Sequence, residues 1–189
     1  MDNPVRDLVQ VYEVRQLRKF SSLGSGKRIL EVGCGTGNGS RLIVKYFRPK
    51  KIIATDLDSR MIKIARRKVK NALIDFLSMD ATSLDFKSQS FDAVFDLGIM
   101  HHIPDWKKAL REVRRVLKAG GQLIMEDLSL ETFSSGIGRL MKVTLDHPYD
   151  KMYAEKEFLL YLKQLNFEIS HYKITRLPLR YTTIVAVKR

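Results

Sequence analysis

Between residues 28 and 128, five short apolar runs alternate with amphipathic stretches. The runs at 28–33, 51–56, 74–80, 91–98 and 121–128 are predicted strands, and the stretches near 38–48, 59–71 and 105–118 are predicted helices. Strands separated by crossover helices form a parallel sheet. Runs such as "KIIATD" and "FDAVFDLGIM" are apolar almost throughout, which fits strands covered on both faces. The fold class is therefore α/β, a doubly wound sheet.

The flanking segments read differently. Asn3 and Pro4 suit an N-cap and a first helical position, and "SSLGSGK" breaks the pattern, so residues 1–26 are expected to form an N-terminal helix. After the fifth strand, "TFSSGIGRLMKVTLDHPYDKMY" is irregular. "AEKEFLLYLKQLNF" reads as an amphipathic helix. "FEISHYKITR" and "YTTIVAVKR" read as two strands joined by a short turn around Pro178, hence antiparallel. A chain of 189 residues with no linker or repeat reads as one domain, 1–189.

Composition narrows the partners. Hydrophobic residues make up 44%, enough for a core. No apolar run reaches about eighteen residues, the N-terminus lacks the apolar centre of a signal peptide, and a cytoplasmic protein is expected. Cys34 is the single cysteine, so no disulfide forms within the chain and no metal site is expected. The net charge is +13. Lys63, Arg66, Arg67 and Lys70 share one helix face; Lys107, Arg111, Arg114, Arg115 and Lys118 share another. Right-handed crossovers put these helices on opposite faces of the sheet, so the stripes read as solvated faces, with weak membrane-surface or polyanion affinity as the alternative.

The chemistry concentrates in "RILEVGCGTGNGS". The dinucleotide fingerprint fails here, because Asn38 or Ser40 stands at its last position, and no Gly-Lys-Ser/Thr follows for a triphosphate loop. What remains is Glu31, Gly33, Gly35 and Gly37. A carboxylate at Glu31 repels pyrophosphate and suits a ligand carrying positive charge, an ammonium or a sulfonium. The glycines let the backbone turn tightly and approach a ligand. Asp56 ends the second strand, where an acid can accept both ribose hydroxyls. A nucleoside with an amino-acid tail fits this set, and S-adenosyl-L-methionine is the natural candidate.

At this point the chain resembles the class I S-adenosylmethionine-dependent methyltransferases of the small type 11, UbiE-like group. "ILEVGCGTG", "IIATDLDSRMIKIAR", "MDATSLDFKSQSFDAVF" and "GIMHHIPDWKKALREVRRVLKAGGQLIMED" resemble its motifs in order, across about residues 28–128. Ala119 stands where a proline is usual. The resemblance implies a seven-stranded sheet of order 3-2-1-4-5-7-6. It implies that Gly33, Cys34, Gly35 and Gly37 line the cofactor's amino-acid part and that Asp56 holds the ribose. Leu57 would pack on adenine, Asp80 with Ala81 would meet the adenine amino group, and Asp96, Leu97 and Gly98 would border the methionine moiety. Asp56 and Asp80 also suit caps or turns, and Asp96 equally suits a strand end bonded to backbone.

His101 and His102 follow the fourth strand, beside the switch point where doubly wound sheets bind ligands. They are candidates for deprotonating an acceptor, with a packing role as the alternative. The reaction expected is in-line transfer of the sulfonium methyl to a small-molecule or lipid-like acceptor, with RNA or protein methylation as the alternative. Nucleic acid is disfavoured, because Asp96-Leu97-Gly98-Ile99 lacks the loop usual for base-amine methylation. Residues 131–152 are expected to form a substrate cap, with Phe133, His147 and Tyr149 toward the acceptor.

Overall fold

The computed structural model describes residues 4–134, 138, 151–176 and 180–189. The elements run α1 (Pro4–Phe20), β1 (Arg28–Val32), α2 (Asn38–Phe47), β2 (Lys51–Asp56), α3 (Ser59–Lys68), β3 (Ile74–Ser78), β4 (Phe91–Leu97), α4 (Trp106–Val116), β5 (Leu117–Asp127), α5 (Glu155–Gln164), β6 (Phe167–Thr175) and β7 (Tyr181–Lys188). Short 3-10 turns at Met100–His102 and Leu130–Ser134 follow β4 and β5. The seven strands lie in the order β3-β2-β1-β4-β5-β7-β6. β1 pairs in parallel with β2 and β4, and β7 runs antiparallel to both β5 and β6. The expected topology is the observed one, and the chain order reverses between β1 and β4.

Strand alternation divides the core into two layers. Ile29, Ala54, Phe95, Ile124 and Val185 point to one face, where they meet Val14 and Leu17 of α1, Leu42 and Ile43 of α2, and Ile62 and Ala65 of α3. Leu30, Val94, Leu123, Met125 and Ile184 point to the other, against α4 and α5. In α4, Trp106, Ala109, Leu110, Val113 and Val116 recur at helical spacing and are all buried. Asp58 caps α3 by accepting the Arg60 N–H at 2.8 Å, and Asp105 caps α4 by accepting the Lys108 N–H at 3.0 Å.

Several boundaries differ from the sequence reading. The N-terminal helix ends at Phe20, where "SSLGSGK" breaks it, and does not run to 26, and β3 ends at Ser78 instead of 80. α3 stops at Lys68 rather than continuing to 71. α4 ends at Val116, and β5 starts directly at Leu117 instead of 121. Leu117 pairs with Phe91, the ladder breaks, and it resumes at Gln122 opposite Ala93. The intervening residues form a bulge with Gly120 at φ 72. The glycine pair that reads as a turn in sequence is an interruption inside a strand.

α3 and α4 do lie on opposite faces, but their cations are not all solvated. Arg66 donates to the Phe76 carbonyl at 2.5 Å, Arg114 to that of Leu165 at 2.5 Å, and Arg115 to those of Leu84 and Phe86 at 2.7 and 2.6 Å. Lys118 pairs with Asp92 at 2.8 Å. Arg66 thus ties α3 to β3, Arg114 ties α4 to the end of α5, and Arg115 ties α4 to the segment before β4, while Lys118 lies in β5 and not on the helix face expected from its spacing, because α4 ends at Val116.

Candidate active site

β1, β2, β4 and β5 all present their carboxyl ends at one edge, and the glycine turn leaves β1 there. Its glycines meet different demands. Gly33 has φ 68, and a Cβ on it would fall inside the side chain of Ile99. Gly37 has φ 86 and begins α2; a Cβ there would lie 3.0 Å from the Phe76 ring. Gly35 has φ 52, yet among the described residues a Cβ there would meet nothing within 4 Å. Packing explains Gly33 and Gly37, whereas Gly35 leaves open space above the turn. The Cys34 N–H donates to the Thr55 carbonyl at 2.8 Å, and the Gly37 N–H to that of Cys34 at 2.9 Å. Burial pushes the Cys34 thiol far above its ordinary value, with the charges of Glu31 and Asp56 adding to it, so this residue is a packed thiol.

Glu31 lies beneath the turn, 1% exposed, and its carboxylate accepts the Ser40 hydroxyl of α2. Gly39 lets that carboxylate approach, since a Cβ there would strike Glu31. Burial pushes the Glu31 pKa up to about 7, offset in part by Ser40 and reinforced by the charge of Asp56. α1 reaches the same place, where its Gln10 accepts the Asn38 amide at 2.6 Å.

At the end of β2, Asp56 accepts the Gly35 N–H at 2.8 Å with one oxygen and the Asp58 N–H at 2.9 Å with the other. Leu57 beside it is 73% exposed. The Met79 N–H donates to the Asp56 carbonyl at 2.9 Å, which brings the exit of β3 alongside. There Asp80 is exposed and accepts the Thr82 N–H at 2.7 Å, forming a turn, and Ala81 packs partly against the core.

At the end of β4, Asp96 is fully buried. Its Oδ1 accepts the N–H groups of Gly98 at 3.1 Å and Ile99 at 2.8 Å; among the described residues its Oδ2 has no well-aligned hydrogen-bond partner, though the side chain lies near enough to Asp127 to favour that residue's anion. Leu97 reaches toward α2, where a Cβ on Gly39 would lie 2.8 Å from its Cδ1. Gly98 turns the chain at φ 96. His101 is buried and His102 exposed, with ring centroids 4.1 Å apart. His101 Nδ1 bonds Asp127 Oδ1, the His101 N–H donates to Asp127 Oδ2 at 2.9 Å, and the Leu128 N–H donates to Asp127 Oδ1 at 2.7 Å. Burial raises Asp127 to about 7 and raises Asp96 well above the carboxylate range. Tyr153 is buried beside them; its hydroxyl forms no well-aligned hydrogen bond but lies near enough to Asp127 to favour that residue's anion.

Sequence reasoning missed Asp127, Tyr153 and Ser40. A signal existed for Asp127: it ends an otherwise apolar strand at the carboxyl edge. Phe133 is 4% exposed and packs with Met152, Leu128 and Leu130. His147 and Tyr149 lie outside the described residues, as does most of the expected cap.

With this geometry in place, the chain can be compared with known proteins. The sequence profile of the methyltransferase domain matches residues 30–125, from within β1 to within β5. The chain belongs to the methyltransferase domain family. Among curated relatives, this methyltransferase domain is 36% identical over 127 residues to phthiotriol/phenolphthiotriol dimycocerosates methyltransferase 1 of Mycobacterium ulcerans, covering 67% of this chain and 46% of that protein. It is 40% identical over 102 residues to the fatty-acid O-methyltransferase of Mycolicibacterium smegmatis, covering 54% and 37%. The chain thus spans less than half the length of these relatives. Among solved structures, an S-adenosylmethionine-dependent methyltransferase from Aquifex aeolicus superposes with a TM-score of 0.76 at 19% identity, covering 100% of both chains. That likeness is one of fold.

Proposed function

We propose that this methyltransferase domain binds S-adenosylmethionine across the glycine turn and transfers a methyl group to a small, lipid-like acceptor. The observation that carries the reading is the pairing of Gly35 with Asp56. A backbone N–H at an open turn and a carboxylate at the next strand end are locked together, with a buried acid, Glu31, below. The residues present suit that cofactor. Among the described residues, the space above Gly35 is open, Leu57 offers an exposed apolar side chain beside Asp56, and Asp96 Oδ2 has no well-aligned hydrogen bond. Asp56 retains lone pairs for ribose hydroxyls after accepting two N–H groups.

When bound, the cofactor supplies a methyl carbon made electrophilic by its sulfonium. The chain's part is positional. The glycine turn and Asp56 hold the nucleoside and amino-acid ends, Glu31 and Asp96 put negative charge or acceptor oxygens near a cationic ligand, and the β4 exit aligns the acceptor. The names of the curated relatives support a lipid-like acceptor. Among the described residues, no helix is long and apolar enough to cross a membrane. A cytoplasmic location, and weak contact of the remaining basic surface with a membrane, belong to the same proposal.

The test is methyl transfer from methyl-labelled cofactor to separate pools of lipid extract, small metabolites and RNA. Label in the lipid or metabolite pool is expected. Label confined to RNA would move the assignment to nucleic-acid methylation.

A further inference from the structure

We propose that the groove between the ends of α4, α5 and β7 is an oxyanion site that takes the phosphate or diphosphate group of a small ligand. It lies apart from the glycine turn and does not rest on the methyl-transfer reading.

The groove sits at the amino end of the parallel strands, opposite the edge that carries the glycine turn. Ser88 and Gln89 precede β4, Arg111, Arg114 and Arg115 lie in the last turns of α4, and Lys188 ends β7, which runs antiparallel to β5. Together they line an open groove of about 350 Å³. That is at the lower end of small-molecule sites, roughly 300–1,000 Å³. The Gln89 N–H donates to the Arg115 carbonyl at 3.0 Å and the Ser90 N–H to that of Val116 at 2.8 Å, so this wall is fixed to the end of α4.

Helix ends account for part of the cluster. The last carbonyls of a helix carry partial negative charge and attract cations. Lys188 Nζ donates to the carbonyls of Arg114 and Leu117 at 2.7 and 2.6 Å, and Arg114 Nε to that of Leu165 at 2.5 Å. Arg115 is committed to Glu112 and to the carbonyls of Leu84 and Phe86. Donors remain after these bonds. Among the described residues, neither Nη of Arg114 makes a hydrogen bond, and Arg111 bonds only the Tyr161 hydroxyl, through Nη1 at 2.8 Å. Lys188 keeps a third N–H.

Charge points the same way. Among the described residues, no carboxylate lines the groove. The acidic residues on the same elements are engaged elsewhere: Glu112 with Arg115, Asp92 with Lys118 and Glu168 with Arg189. Burial and the charge of Arg114 both disfavour the Lys188 ammonium and lower its pKa. Cations gathered without a counter-charge are stabilised by an anion.

The donor set selects the anion. Arg111 and Arg114 are three residues apart and share a helix face, so two guanidinium forks stand side by side, and the ammonium comes from another element. A carboxylate has two oxygens and satisfies one fork. A phosphate has oxygens for both forks and the ammonium, and carries more charge. A nucleic-acid strand would need a continuous basic track. The other basic stripe, on α3, lies on the opposite face of the sheet.

The experiment titrates the full chain with inorganic pyrophosphate by calorimetry, at low and moderate salt. Saturable binding that weakens with salt is expected. Arg111 is exposed and its replacement removes only the Tyr161 bond, so Arg111→Gln should stay folded. It should weaken pyrophosphate binding about tenfold or more. Lys63→Gln/Arg67→Gln, which removes two exposed charges from α3, should stay within about twofold of the parent. Vesicles of phosphatidylcholine with and without phosphatidate separate the sources. Phosphatidate-dependent sedimentation that pyrophosphate competes away identifies a lipid head group; pyrophosphate binding without vesicle binding identifies a soluble phosphate compound. No saturable pyrophosphate binding by the parent, or equal weakening in the α3 and Arg111→Gln variants, would overturn the proposal. So would displacement of pyrophosphate by a short RNA with the same loss in both variants, which would mark a diffuse polyanion surface.

Discussion

Asp56 Oδ2 accepts the backbone N–H of Gly35 at 2.8 Å, joining the end of β2 to a glycine of the turn that, among the described residues, faces open space. Asp56→Ala removes this bond and the one from the Asp58 N–H, leaving two backbone donors to be resatisfied. Cofactor binding is expected to weaken by about 1–3 kcal/mol. Asp56→Asn, which keeps one acceptor oxygen, should lose less. Titration calorimetry on both folded variants measures this; unchanged affinity in Asp56→Ala would remove Asp56 from the site.

Gly33 and Gly35 should separate packing from binding. In Gly33→Ala the new Cβ runs into Ile99 in a left-handed backbone, and stability should fall by about 3 kcal/mol or more. In Gly35→Ala the backbone strain remains, about 1–2 kcal/mol, but nothing is struck. That protein should stay folded and bind cofactor poorly, because its methyl group enters the ligand's space. Thermal unfolding paired with titration distinguishes the two. A Gly35→Ala variant that binds like the parent would mean that the open space is not the ligand's.

Glu31 makes stability depend on pH in an unusual direction. Its folded pKa is about 7 against an ordinary 4.5. Between those values the folded state keeps a proton that the unfolded state has released, so stability falls as pH rises from 4.5 to 7 and stays low above. Glu31→Gln removes this penalty and should gain on the parent at pH 8 by up to about 3 kcal/mol, and gain little at pH 4.5. Denaturant unfolding at the two pH values is the check. Parallel pH dependence in both proteins would mean that Glu31 ionises freely where it is buried.

Glu155 behaves in the opposite sense. Burial alone would raise its pKa, but the Tyr172 hydroxyl, Arg180 and Thr182 together outweigh burial and lower it. Arg180 lies 2.6 Å away. The contribution is present above the ordinary value near 4.5 and is lost as pH falls below it. Glu155→Gln should therefore cost about 1 kcal/mol at pH 7 and less at pH 3.5. An equal cost at both would show that packing at the start of α5, not charge, is what Glu155 supplies.

The frame around the glycine turn was legible because its signals are local. Apolar runs, helical spacing and three glycines within five residues need no knowledge of the rest of the chain. The strand order was legible only through the family resemblance, and the observed sheet agrees with it. The start of β5 was not legible, because Leu117 joins the sheet through Phe91 while the chain between them and the next pair bulges. The His101–Asp127 pair was also hidden. The two residues stand 26 positions apart and meet only because β4 and β5 are neighbours. Asp96 read equally as a ligand group or a backbone-bonded strand end, and the structure gives each oxygen a different situation.

The central claim is that the glycine turn serves a cationic nucleoside and not a pyrophosphate. The most direct measurement is calorimetric titration of the purified protein with S-adenosylmethionine, its demethylated product and NAD, each alone. The account predicts saturable binding of the first two and none of NAD. Binding of NAD without either of the others would contradict it.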